Sequence, residues 1–321
     1  MEYRRLGNAG VQVSAVSLGA WLTYGSERVA YESAQACVRT AIENGINFID
    51  VADIYAQGEA EKTVGKIVKD YKRSDLVIST KAYWAMSDNI NDRGLSRKHI
   101  FESVEKSLKR FDMDYVDIFF CHRYDDESPT EETVRAISDL ITQGKILYWG
   151  TSMWSAANIS EAIGIADRVG AYRPVSEQSI YNMLEREQVE GEVQEVAAMK
   201  GMGLVVFSPL AQGILTGKYN DGIPAGSRAA QIDWVAEGVT EERVEKVRKL
   251  TGLANEMGIS VAALALAWAL KNPVVSSVIT GASRPEQVKE NLKALEVKMT
   301  PEIDVKIEAV LGNKPVLKKH N

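Results

Sequence analysis

The chain has 321 residues, of which 45% are hydrophobic and 26% are charged, a composition typical of a globular protein with ample material for a core. Its net charge of −6 and the lack of a long basic run disfavour nucleic acid and anionic membranes as partners. No signal-peptide pattern opens the sequence, no apolar run is long enough to span a bilayer, and neither of the two cysteines has a Cys-x-x-Cys spacing, so we expect a cytoplasmic protein without a zinc motif or disulfide framework.

The predicted elements begin with a β-hairpin that turns on Asn8, Ala9 and Gly10. Short apolar runs then alternate with amphipathic stretches of helical period, the pattern of parallel strands joined by helices. We predict eight strands, over residues 15–20, 48–51, 76–81, 116–121, 146–152, 174–178, 204–209 and 276–281. We predict helices between and after them, over 30–44, 59–70, 97–110, 131–143, 155–169, 190–200, 240–271 with a break near Gly258, and 285–295.

Eight strand–helix units in a chain of this length match an α/β fold of the (β/α)₈ TIM barrel type. A doubly wound sheet would usually need fewer units or a second domain. No linker rich in Pro, Gly or Ser divides the sequence, so we predict one domain over residues 1–321. The stretch 209–239, after strand seven, is too long and too rich in glycine for an ordinary connection. Loops of this length are usually functional or mobile, which predicts a clamp on a cofactor or substrate.

Polar side chains stand where strands two, three and four end. Asp50 ends strand two, Tyr55 follows it in the next loop, Lys81 ends strand three, and His122 follows strand four. Polar residues at the C-terminal ends of barrel strands converge on one site, and neighbouring strands lie about 4.7–4.9 Å apart. We therefore expect these four side chains to meet.

Such a group suits carbonyl reduction, in which a hydride reaches carbon and a proton reaches oxygen. A lysine ammonium beside a phenol favours the phenolate, so we expect Lys81, held by Asp50, to lower the pKa of Tyr55 and make it a proton donor. His122 would hold the carbonyl oxygen and stabilise its developing charge. Taken singly, each residue has a more common structural role: Asp50 and Lys81 as an ion pair, Tyr55 as an aromatic residue at the rim, and His122 as a hydrogen-bonded core histidine. Asp53 is expected to be solvated or to cap the following helix.

A metal-dependent hydrolase is the alternative from another mechanistic class, with Asp50, Asp53 and His122 as ligands. Metal barrels normally offer several His or Glu ligands on more strands. The other two histidines are His99, within a predicted helix, and His320, in the tail. The sequence therefore favours a site without a metal.

The residues of this predicted site resemble a known family. The D-x-A-x-x-Y of residues 50–55, the S-T-K that ends at Lys81 and the histidine after strand four are similar to the tetrad of the aldo-keto reductases. Within that superfamily the chain most resembles the beta subunits of voltage-gated potassium channels and their bacterial relatives. The closer resemblance is carried by RGLSRKHI, YVDIFF, EETVRAISDLI, YWGTSMWSA, SPLAQGILTGKY and GASRPEQVKENL, and it runs from about residue 2 to the LGNKP at 311–315.

The resemblance implies NADPH bound in extended form at the barrel mouth without a dinucleotide fold, and the sequence has no GxGxxG between a strand and a helix. Motif positions assign Ser152 and Gln178 to the nicotinamide carboxamide and Phe207 to the nicotinamide ring. The long loop would line and cover the pyrophosphate through Ser208, Pro209, Leu210, Gln212, Gly213, Lys218 and Arg228. The segment after strand eight would take the adenosine half through Gly281, Ser283, Arg284, Gln287, Glu290 and Asn291.

A helix start with a cation and a hydroxyl is also a phosphate site on physical grounds, so Arg284 and Ser283 predict a preference for NADPH over NADH. Met153 departs from the pattern, because many aldo-keto reductases have asparagine after the serine of strand five. His122 departs from the channel subunits, which carry asparagine there, and this favours an enzyme with fuller activity.

Aromatic residues near the strand ends are expected to wall an apolar substrate pocket, namely Trp21, Tyr24, Trp84 and Trp154. The prediction is therefore an NADPH-dependent reductase of aldehydes or ketones with some apolar bulk. The alternative is an NADPH-binding sensor that turns over slowly and regulates a partner protein. The resemblance to channel subunits also implies a homo-oligomer.

Overall fold

The structure, a computed structural model, describes residues 1–25 and 29–316. An antiparallel hairpin of β1 (Tyr3–Arg5) and β2 (Gln12–Ser14) precedes a closed parallel barrel, as predicted. The barrel strands are β3 (Val16–Gly19), β4 (Phe48–Asp50), β5 (Val77–Ala82), β6 (Val116–Cys121), β7 (Ile146–Ser152), β8 (Ser176–Ile180), β9 (Gly203–Phe207) and β10 (Val275–Thr280). Each strand pairs with its neighbour in sequence, and β10 pairs with β3 to close the ring. The predicted (β/α)₈ barrel is confirmed.

Helices surround the barrel and connect its strands. They are α1 (Tyr31–Glu43), α2 (Glu59–Val68), α3 (Arg97–Phe111), α4 (Thr130–Thr142), α5 (Ala156–Val169), α6 (Gln194–Lys200), α7 (Arg228–Gln231), α8 (Asp233–Glu237), α9 (Glu241–Glu256), α10 (Val261–Lys271), α11 (Pro285–Leu292) and α12 (Pro301–Leu311). A π-helical segment, Glu187–Val193, leads into α6. The predicted break near Gly258 separates α9 from α10, and Gly258 has a φ of +69°, which a side chain disfavours.

Hydroxyl side chains start six of these helices. The caps are Ser96, Ser155, Ser227, Thr240, Ser260 and Thr300, and each accepts a hydrogen bond from the backbone N–H three residues on, which satisfies a donor that the helix itself leaves free. The last of them begins α12, which the sequence analysis did not predict. The long stretch after strand seven also holds two short helices, α7 and α8.

The apolar core has two parts. The larger part lies between the strands and the helices, where α10 is buried from residue 261 to 270. The smaller part fills the barrel interior, with Phe48, Ile118 and Phe120 from the strands, and Leu6 and Val13 from the hairpin. Each such side chain contributes about 1.5–3 kcal/mol by leaving water. Because the hairpin and these residues fill the N-terminal end of the barrel, the polar residues are left at the C-terminal end.

Among the described helices, none alone is long and apolar enough to cross a membrane. Only α9 and α10 taken together reach that length and composition, and the pair is bent by 93°.

Candidate active site

A buried ion pair lies at the base of the site. The Nζ of Lys81 is 2.7 Å from Oδ2 of Asp50, and the two side chains are 0% and 4% exposed. Lys81 Nζ also donates to the carbonyl of Val51, at 2.6 Å. The other oxygen of Asp50 accepts bonds from the hydroxyl of Ser79, at 2.7 Å, and from the amide of Gln178 on β8, at 3.0 Å. These bonds supply the partners that a buried charge pair needs if it is to be stable.

Tyr55 lies above this pair, on the turn that follows β4. The next two residues, Ala56 and Gln57, have φ values of 48° and 53°, an uncommon left-handed backbone that fixes how the chain leaves the barrel mouth. The Nζ of Lys81 is 4.9 Å from the centre of the Tyr55 ring, and the His122 ring meets that ring edge-on at 5.8 Å. The Tyr55 hydroxyl has no hydrogen-bond partner within the described residues, so it is free to donate to a ligand.

Burial raises the pKa of the Tyr55 phenol well above 10, and the nearby carboxylate of Asp50 raises it further against the opposing charge of Arg123. The prediction that the pKa of Tyr55 lies below its ordinary value is therefore wrong. The positive charge of Lys81 is largely neutralised by Asp50. The remaining attraction between Lys81 and a Tyr55 phenolate is smaller than the cost of burying that phenolate. Tyr55 consequently keeps its proton at neutral pH.

His122 follows β6 and is 7% exposed. Burial lowers its pKa well below 6.5, and the charges of Lys81 and Arg123 lower it further, so the imidazole is neutral. Its Nδ1 is buried without a hydrogen-bond partner among the described residues. A neutral imidazole carries one N–H donor, and at this position the donor can serve an oxygen placed beside the Tyr55 hydroxyl.

One cavity of about 1010 Å³ opens over these residues. It is at the upper limit of the range of about 300–1,000 Å³ common for small-molecule sites, so it has room for an extended ligand as well as a substrate. Most residues predicted for the site line it: Trp21, Asp50, Tyr55, Trp84, His122, Ser152, Gln178, Phe207, Ser208, Pro209, Leu210, Gln212, Gly213, Lys218, Arg228, Gly281, Ser283, Arg284, Gln287 and Asn291.

The remaining predicted residues lie outside the lining. Tyr24 and Trp154 are each 1% exposed, so their predicted pocket position is wrong. The hydroxyl of Tyr24 donates to the carbonyl of Ala282, and the ring of Trp154 packs edge-on against the ring of Tyr124. Glu290 is also outside the lining, and its carboxylate pairs with Nζ of Lys293, at 2.6 Å.

Cations and a helix start lie at the far end of the cavity, away from Tyr55. Lys218, Arg228 and Arg284 line it there. At the start of α11, the backbone N–H groups of Ser283 and Arg284 donate to Oε1 of Gln287, at 2.8 and 3.3 Å. A side-chain oxygen thus uses the donors that an anion at a helix N-terminus would use. A phosphate can take the same donors if the Gln287 side chain turns aside.

Two residues of this region were missed by the sequence analysis. Arg123, directly after His122, lines the cavity, and its position at the end of strand four was a signal that could have identified it. Trp234 of α8 stacks on Trp21, with ring centres 5.9 Å apart. It lies in the long irregular stretch, where the sequence pattern gives no orientation.

Asp53 differs from expectation, because it is fully buried and not solvated. Its carboxylate accepts bonds from the backbone N–H of Ile54, at 2.6 Å, and from the hydroxyl of Ser103, at 2.9 Å. Burial, with the charge of Glu61, raises its pKa to about 7. In the part of the chain that the structure describes, no three His, Cys, Asp or Glu side chains are grouped as metal ligands; His320 lies outside that part.

A family profile and several known proteins match this chain over most of its length. The profile of the aldo/keto reductase family matches residues 15–311. A probable voltage-gated potassium channel subunit beta of Oryza sativa subsp. japonica and one of Arabidopsis thaliana are each 46% identical over 323 residues, which is 98% of this chain and 98% of each relative. A putative voltage-gated potassium channel subunit beta of Schizosaccharomyces pombe is 45% identical over 329 residues, covering 98% of this chain and 95% of the relative.

Proposed function

The chain belongs to the aldo/keto reductase family, and from that premise we propose that it reduces aldehydes or ketones to alcohols with NADPH, with Tyr55 as the proton donor. The observation that carries the proposal is the hydroxyl of Tyr55, which has no hydrogen-bond partner in residues 1–25 and 29–316. Tyr55 lines the cavity beside the buried pair of Lys81 and Asp50. A protonated phenol above a buried ammonium group is suited to giving up its proton to an oxygen that gains negative charge.

The proposed cofactor, when bound, would supply a hydride to the carbonyl carbon and become oxidised. Ser152 and Gln178 would hold its nicotinamide amide, with Phe207 against the ring. Lys218 and Arg284 would face its phosphates at the far end of the cavity. Arg284 and the start of α11 would bind the 2′-phosphate, which supports NADPH over NADH as the proposed cofactor.

The protein residues would supply the proton. As the carbonyl carbon accepts the hydride, the O–H bond of Tyr55 would break and its proton would pass to the carbonyl oxygen. Lys81, 4.9 Å from the ring centre, would stabilise the phenolate that remains, and Asp50 would keep Lys81 charged and in place. The neutral imidazole of His122 would donate to the same carbonyl oxygen and orient it.

A second candidate is a slow NADPH-binding sensor that regulates a partner protein. Its regulatory part is supported by relatives, 45–46% identical, that are named as voltage-gated potassium channel beta subunits. His122 supports the enzyme instead, because it offers a donor at the reacting oxygen. A homo-oligomeric assembly, a cytoplasmic location, and the absence of nucleic-acid and membrane partners remain predictions from the sequence.

A turnover assay separates the two candidates. Purified protein is mixed with NADPH and a panel of aldehydes, and loss of the NADPH absorbance band is followed. We expect sustained turnover that falls by about 10²-fold or more in Tyr55→Phe, with cofactor affinity retained. Tyr172→Phe is the matched control, because Tyr172 is 53% exposed and lies outside the cavity lining. Tight NADPH binding with almost no turnover in the wild type would favour the sensor, and full activity in Tyr55→Phe would contradict the assigned proton donor.

A further inference from the structure

Arg123 is a cation at the catalytic end of the cavity. It lines the cavity beside Tyr55 and His122. Its Nη1 donates to the carbonyl of His122, at 2.5 Å, and its guanidinium carbon is 5.5 Å from the centre of the Trp84 ring. The side chain is only partly exposed, and burial lowers the pKa of its guanidinium. The charge therefore lies in a place where water solvates it incompletely.

This charge has no ion-pair partner within residues 1–25 and 29–316. Five other arginines with side chains at most a third exposed each have one, namely Arg4 with Glu2, Arg73 with Asp117, Arg110 with Glu61, Arg186 with Glu190 and Glu308, and Arg243 with Glu185. Arg123 does feel the negative charge of Glu177. That carboxylate, however, is fully buried and already accepts bonds from the hydroxyls of Thr151 and Ser179. Because an unmatched guanidinium in a half-buried position is costly, an anion that enters the cavity would find a favourable partner there.

The anion is not expected to be a phosphate of the cofactor. The strand order around the barrel is β10-β3-β4-β5-β6-β7-β8-β9, so β6, which precedes Arg123, is four strands from β10 in either direction. Arg284 follows β10 and belongs to the cationic end. Arg123 and Arg284 thus lie on opposite sides of the mouth, and Arg123 shares its side with Tyr55, His122 and Trp84.

We propose, on the basis of the proposed function, that the preferred substrate is a carbonyl compound that also carries a carboxylate, and that Arg123 binds this carboxylate. The guanidinium would donate charge-assisted hydrogen bonds to the carboxylate. The Trp84 ring would cover the apolar part of the substrate. The carbonyl would then lie between the hydroxyl of Tyr55 and the imidazole of His122, and the class is an acidic aldehyde or keto acid.

The test uses two substrates that differ in charge and little else, 4-formylbenzoate and its methyl ester. We expect the wild-type kcat/KM to favour the acid by about tenfold to hundredfold, the scale of a charge-assisted hydrogen bond, and the preference to shrink as salt is added. In Arg123→Gln the ratio of acid to ester should fall to about one. The ratio is the readout because any change at Tyr55 affects both substrates alike and cancels.

Arg39→Gln is the control, because Arg39 is half exposed, pairs with Asp70 and lies outside the cavity lining; it should keep the wild-type ratio. An acid preference that survives in Arg123→Gln, or equal rates for acid and ester in the wild type, would overturn the assignment while leaving the reductase function intact.

A binding experiment keeps the inference testable if neither compound is reduced, an outcome that would count against the proposed function alone. Here 4-(hydroxymethyl)benzoate and its methyl ester are titrated into the protein with and without NADP⁺, and tryptophan fluorescence is followed, since Trp21 and Trp84 line the cavity. Tighter binding of the acid that is lost in Arg123→Gln supports a carboxylate site. Equal affinities for acid and ester in the wild type refute it.

Discussion

Replacing Lys81 by Met would leave the carboxylate of Asp50 buried without its cation. The pair is 2.7 Å apart with side chains 0% and 4% exposed, and removing one partner of such a pair typically costs about 3–5 kcal/mol. The bonds from Ser79 and Gln178 to Asp50 would remain and partly stabilise the lone carboxylate. We therefore expect Lys81→Met to lower the free energy of unfolding by about 3 kcal/mol, the low end of that range.

A double-mutant cycle tests this reasoning. Asp50→Asn should also be costly, because the buried ammonium of Lys81 would lose its counter-charge and keep only neutral acceptors such as the carbonyl of Val51. The double variant has no buried charge at this pair, so its loss should be smaller than the sum of the single losses by about 2 kcal/mol or more. The free energies come from urea denaturation followed by circular dichroism. The exposed pair of Arg39 and Asp70 is the control, with a coupling below about 1 kcal/mol. Additive losses at Lys81 and Asp50 would show that the two charges do not stabilise each other in the fold.

Three further predictions concern protonation and charge. The native pKa of His122 is held below 6.5, so below that pH the unfolded chain binds a proton that the folded chain does not. The contribution of His122 to stability then falls by up to about 1.4 kcal/mol per pH unit. Thermal unfolding between pH 7 and pH 5 should show a smaller loss of stability in His122→Asn than in the wild type, and an equal loss would contradict this. The native pKa of Asp53 is about 7 against about 3.9 unfolded, so the stability that this carboxyl contributes is lost as the pH rises through that window. The stability of Asp53→Asn relative to the wild type should therefore increase between pH 4 and pH 7, and a constant difference would be the contrary result. Arg284→Ala should weaken NADPH binding about tenfold or more and NADH binding much less, as measured by titration; equal weakening would mean that the 2′-phosphate binds elsewhere.

Much of the fold could be predicted because strands buried on both faces read as continuous apolar runs. The predicted ranges 116–121 and 146–152 coincide with β6 and β7. The strand predicted at 174–178 begins two residues later, at Ser176, because the apolar pattern does not mark where pairing starts. The π-helical segment before α6 was also beyond prediction, since it is an irregularity of the backbone that side-chain periodicity does not record.

The meeting of the catalytic residues was predictable for a topological reason, since the ends of neighbouring parallel strands must lie together. How deeply each residue is buried could not be predicted in this way. Tyr24 and Trp154 follow strand ends just as Trp21 and Trp84 do, yet the first two are buried in the core and the last two line the cavity. Which of these outcomes applies depends on how the following loop folds back. Asp53 was misjudged for the same reason, because its burial depends on α3, which supplies Ser103.

The depth of the site also explains why its two neutral donors act together. Burial disfavours every charged form, so the same cause raises the pKa of Tyr55 and lowers that of His122. Each side chain then holds the proton state in which it can donate a hydrogen bond without carrying charge. The most deeply buried charges beside them are those of Lys81 and Asp50, which neutralise each other until a phenolate forms. In a shallower pocket the imidazole would charge more readily and would compete with Lys81 for that phenolate, so the depth of the strand ends below the mouth allows the proposed division of roles among the four residues.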